Sequence, residues 1–145
     1  MHRRRVLAAT GTAAAALAGT SGCLGRGGDS EGPPAELCWA RLFNEDDESR
    51  TFEFAVEATR SDGNGTEDVF AESYDLPAGS LKRIEPELGG SGRYVVRASA
   101  ADETVRVSLP EQVAAADRRP EGVALTFRVV GGTNFPWEAT PFPEC

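Results

Sequence analysis

Histidine is nearly missing from this chain: among 145 residues the one imidazole belongs to His2. Serine and cysteine catalysis through a paired histidine, zinc enzymes and blue-copper sites all use imidazole in their usual forms, so a domain downstream of His2 supports none of them. Cations are scarce as well. Lys82 is the single lysine, and 15 Lys plus Arg stand against 23 Asp plus Glu. Arg3, Arg4 and Arg5 sit in an opening segment that holds no acid, which leaves 12 cations against 23 acids downstream, or −11. Such a surface repels phosphate backbones and presents no basic stripe, so nucleic acid is excluded as a partner. Long apolar runs are absent too. The stretch from Val6 to Leu17 is alanine-rich, broken by Thr10, Gly11 and Thr12, and falls short of the ~20 apolar residues that span a bilayer. There is no internal repeat, and no CxxC spacing marks a metal or redox site.

The opening does have the layout of a signal peptide: a charged cluster, a mildly apolar stretch, then small residues before Cys23. Arg3-Arg4-x-Val6-Leu7 resembles the twin-arginine motif, which implies export of a folded protein. Ser21-Gly22-Cys23 resembles a lipobox, although Thr20 departs from the leucine that family usually has three residues before the cysteine. The resemblance implies that Cys23 is lipidated, becomes the first residue after cleavage, and anchors the chain at the outer face of the cell membrane. The alternative is cleavage nearby, a free secreted protein and a spare thiol at Cys23. Acid-rich, lysine-poor composition behind such a leader resembles exported proteins of extremely halophilic archaea. The expected organisation is a signal peptide over 1–22, a lipidated cysteine and flexible Gly/Pro-rich linker over 23–36, and one domain over 37–145.

Three cysteines leave one unpaired in an oxidising compartment, and lipidation of Cys23 accounts for it. Cys38 and Cys145 then remain as a disulfide pair that would pin both ends of the domain. The competing metal or redox reading has neither the spacing nor a histidine to join it.

After the linker, apolar residues recur mostly every second position, the period of a strand with one face in a core. Phe52, Phe54, Val56 and Ala58 give the clearest case. Further strands are expected around Leu37, Trp39 and Phe43, over Val69 to Leu76, Leu81 to Ile84, Arg93 to Ala100, Thr104 to Leu109 and Val123 to Val130. The segment from Pro110 to Arg119 alone reads as helical, one or two turns begun by a proline and stopped by Pro120. About seven short strands without helical crossovers predict an all-β, antiparallel sandwich, and their order resembles the immunoglobulin-like fold.

Candidate sites are few. Asn44-Glu45-Asp46-Asp47-Glu48 gathers oxygen ligands suited to calcium, but in so acidic a chain it reads first as a solvated loop, and no metal or other cofactor is expected. Asp62-Gly63-Asn64-Gly65-Thr66-Glu67 begins like an EF-hand loop, yet Glu67 replaces the required glycine and Ser73 the closing glutamate. It reads as a turn, in which Asn64 is a weak N-glycosylation acceptor. Gly89-Gly90-Ser91-Gly92 precedes a strand, so it lacks the helix terminus that receives phosphate. The tail from Asn134 to Cys145 carries Phe135, Trp137 and Phe142 among three prolines, either a docking patch or a segment folded back onto the domain. No catalytic residues are assigned. The expected role is a non-enzymatic lipoprotein acting in binding or interaction, with a possible envelope protein as partner. The alternatives are an accessory subunit docking through the aromatic tail and, third, a small carboxylate-dependent hydrolase.

Overall fold

The computed structural model describes residues 32–60 and 63–145. Alternating apolar side chains need a second layer to cover them, and here two sheets cover each other. In chain order the elements are β1 (Glu36–Asn44), β2 (Arg50–Thr59), β3 (Thr66–Leu76), β4 (Leu81–Ile84), β5 (Tyr94–Ala100), β6 (Glu103–Ser108), α1 (Leu109–Ala115), β7 (Gly122–Val129) and β8 (Trp137–Phe142). One sheet runs β4-β1-β7-β8, the other β3-β2-β5-β6. The fold is the expected all-β, immunoglobulin-like sandwich.

The period-two residues meet between the layers. Phe52, Phe54 and Val56 of β2 are buried, as are Val96 and Ala98 of β5 and Val123, Leu125, Phe127 and Val129 of β7. Phe54 sets its edge against Phe127 at 6.4 Å, and Phe127 stacks on Phe135 at 5.9 Å. Each large apolar side chain taken out of water contributes about 1.5–3 kcal/mol, so these rings dominate the core.

The structure adds to the expected pattern in three places. The aromatic tail supplies an eighth strand: β8 pairs antiparallel with β7, Leu125 opposite Ala139. Within otherwise antiparallel sheets, β1 runs parallel to β7, Leu42 opposite Phe127. Side-chain alternation has the same period in both pairings, so direction is invisible in a single strand. The helix is shorter than 110–119. Ser108 caps it by accepting from the Glu111 N–H at 3.4 Å, and it ends at Ala115 with Ala116 already extended.

In β1 the apolar phase also differs from the one that Leu37, Trp39 and Phe43 suggest. The pairing with β7 slips between Leu37 and Trp39, where Cys38 is the extra residue of a bulge. The bulge keeps Leu37 buried while the core phase continues at Ala40, Leu42 and Asn44, and it turns Cys38, Trp39, Arg41 and Phe43 toward the outer face.

Candidate functional site

The outer face of the sheet β4-β1-β7-β8 carries the most unusual side chains. Trp39 and Arg41 are two apart on β1, hence on one face, and Arg41 pairs across the strands with Arg83 of β4. The Arg41 guanidinium lies 4.2 Å from the centre of the Trp39 ring and that of Arg83 5.2 Å, so two cations share one indole. Phe142, brought over by β8, tilts against Trp39 at 6.3 Å. Arg83 is shared with Glu85, but among the described residues no carboxylate pairs with Arg41, in a chain rich in carboxylates. Sequence reasoning missed this cluster. The spacing Trp39-x-Arg41-x-Phe43 was the available signal, and only strand pairing supplies Arg83 and Phe142.

Beside the indole lies the disulfide. Cys38 Sγ is bonded to Cys145 Sγ with the Cα atoms 5.1 Å apart and a sequence separation of 107. It rests on Gly122: a Cβ there would stand 2.5 Å from the Cys38 sulfur and 2.6 Å from the Cys145 sulfur. The two ends of the described chain therefore meet at one end of the sandwich, where Ala35 bridges to Gly92 and the Glu36 N–H donates to the Glu121 carbonyl at 2.8 Å.

The opposite end holds the acidic loop. Asn44 is fully buried, and its side-chain amide donates to the carbonyls of Glu48 (2.8 Å), Leu76 (3.0 Å) and Pro77 (3.2 Å) while its oxygen accepts from the Asp46 N–H. Asp46 accepts from Arg50 Nε at 2.8 Å and from Nη2 as well. The Arg50 hydrogen bond, then that of the Asp47 N–H, holds the Asp46 carboxyl below its usual range. The oxygens that suggested calcium at Asn44 and Asp46 are thus committed to backbone and guanidinium. Among the described residues no three Asp, Glu, Cys or His side chains converge as a metal site.

On the other sheet, Glu57 is nearly buried on the outer face. Arg97 Nη1 donates to its Oε1 at 3.1 Å, and Arg106 Nη2 lies 2.6 Å from Oε2, close enough for ion pairing but not aligned as a hydrogen bond. Arg97 also reaches Asp68 at 3.6 Å. The network ties β2, β3, β5 and β6 together beside a shallow depression of about 280 Å³ floored by Ala55, Ala71, Ser73 and Ser99. Along β3, Tyr74 donates to Glu72 at 2.7 Å, and burial followed by that carboxylate pushes its phenol up to about 12.

Arg3, Arg4 and Cys23 lie outside the described residues. Asn64 is exposed in the turn before β3. The aromatic tail divides: Phe135 is buried in the core, Phe142 packs beside Trp39, and Trp137 remains 39% exposed on β8. No helix among the described residues is long and apolar enough to cross a membrane.

No protein-family model and no curated protein matches the chain in sequence. Its fold is similar to that of the T6SS lipoprotein TssJ1 from Pseudomonas aeruginosa, with a TM-score of 0.50 at 15% identity, over 77% of this chain and 100% of that one.

Proposed function

We propose that the chain is a non-enzymatic lipoprotein, exported by its leader and anchored through Cys23 to the outer face of the cell membrane, where its sandwich serves as a binding or interaction module. The observation that carries this is the disulfide. With Cys38 and Cys145 joined, the odd cysteine count reduces to Cys23, which stands where the leader gives way to the linker. The fold likeness to a lipoprotein supports the reading. Intact mass of the protein from the native membrane fraction tests it. A chain beginning at Cys23 with added lipid mass is expected; a soluble product without lipid overturns it.

Trp137 favours a second reading, an accessory subunit of an envelope complex. It is the tail aromatic left most exposed, on an edge strand beside the exposed Val130. Cross-linking from position 130, beside Trp137, to a second envelope protein, abolished by Trp137→Ala, would support that reading. An unchanged pattern of cross-links in the variant would sink it.

A further inference from the structure

We infer that the outer face around Trp39, Arg41, Arg83 and Phe142 lies against the anionic headgroups of the membrane to which the chain is tethered. The inference rests on lipidation at Cys23 and adds the face by which the domain meets the lipid. Its first ground is position. Gly32 is the first described residue, and the chain passes from there through Ala35 into β1, three residues before Trp39. Gly32 is nine positions on from Cys23, a reach of at most ~32 Å, so a lipid at Cys23 keeps this end of the sandwich close to the surface. Phe142 and the disulfide occupy the same end.

The second ground is chemistry. An indole and a phenyl ring beside guanidiniums on flexible stems suit the boundary between headgroup and acyl chain, where aromatic bodies are favoured and arginine heads reach phosphate. Arg41 has its indole but no carboxylate partner among the described residues. The third ground is how the acid is held. The loop from Glu45 to Glu48 lies at the opposite end, and of the carboxylates on the outer face itself Glu85 is paired with Arg83 and Glu138 with Arg128. Among the described residues this leaves Arg41 as the cation free to meet a headgroup; Glu36, Glu121 and Glu144 stand at the rim of this end.

The test uses the lipidated protein purified from membranes and carrying Trp137→Phe, so that Trp39 is the only indole. It is reconstituted into vesicles of equal parts phosphatidylglycerol and phosphatidylcholine that contain headgroup-spin-labelled phosphatidylcholine. Trp39 emission is expected to fall roughly twofold relative to unlabelled vesicles, and to recover most of that loss when Arg41→Gln and Arg83→Gln are added. These arginines lie at the surface, so the added changes leave the core intact and membership of the folded state is checked by thermal unfolding. A protein with lipid mass at Cys23 whose Trp39 emission ignores the spin label overturns the inference and leaves the lipoprotein reading standing. Cross-linking of position 41 to an envelope protein, with Trp39 unquenched, overturns it in favour of a protein partner. Absence of lipid mass overturns both.

Discussion

Gly122 shows how one absent methyl group sets a local structure. The disulfide passes directly over its α-carbon, and a Cβ would overlap both sulfurs. Gly122→Ala is therefore expected to destabilise the protein by about 1–3 kcal/mol, as overpacking does. Most of that loss should vanish in a Cys38→Ala/Cys145→Ala background. A double-mutant cycle read by denaturant midpoints measures the coupling, and additive effects would contradict the packing argument. Asp46 makes a second residue-scale case. Its carboxyl is depressed, so its contribution to stability is present above the unfolded value near pH 4 and is lost as pH falls through the lower, folded one. The stability gap between the wild type and Asp46→Asn should be widest above about pH 4 and close below it; a gap independent of pH would rule out the Arg50 pairing as its source.

Strands that could be read in the sequence were those whose alternation is complete within one segment. β2 and β7 each present four apolar residues at period two, and both are central in their sheets. β8 could not be read that way, since Pro141 within it and Pro136 and Pro143 beside it are tolerated by an edge strand and signal loop to any local rule. The phase of β1 was hidden by its bulge, and the Trp39 cluster with it, because a residue added between Leu37 and Trp39 leaves no mark on composition. Glu57 looks like any other strand acid until β5 and β6 bring Arg97 and Arg106 to it. The β5–β6 hairpin closes with Ala101 at φ 52° and Asp102 at φ 63°, a two-residue turn with both residues left-handed. Asp102 is exposed, so Asp102→Gly is expected to raise stability by up to about 1 kcal/mol in thermal or denaturant unfolding. A loss of stability would mean that the side chain is needed there.

For the whole molecule the decisive link is covalent. In the chain-entropy view, closing a loop of about a hundred residues stabilises the fold by up to ~4.7 kcal/mol, and removing a native bridge from a small exported domain typically costs about 2–5 kcal/mol. Cys38→Ala/Cys145→Ala should therefore lower the midpoint of unfolding by an amount in that range, with the native sheet content kept at low temperature. An unchanged midpoint would show that the non-covalent core alone sets stability.

The same bridge fixes how load passes through the protein. A pull applied on either side of the bridge enters at Cys38 and leaves at Cys145 through sulfur, so the whole segment between them, a separation of 107 in sequence, carries no tension. Stretched in this way the oxidised domain acts as an inextensible link, whereas after reduction the same segment is free to pay out about 350 Å of contour. Under load the domain thus transmits force without unfolding as long as the bridge stays oxidised, and becomes a slack line when it is reduced.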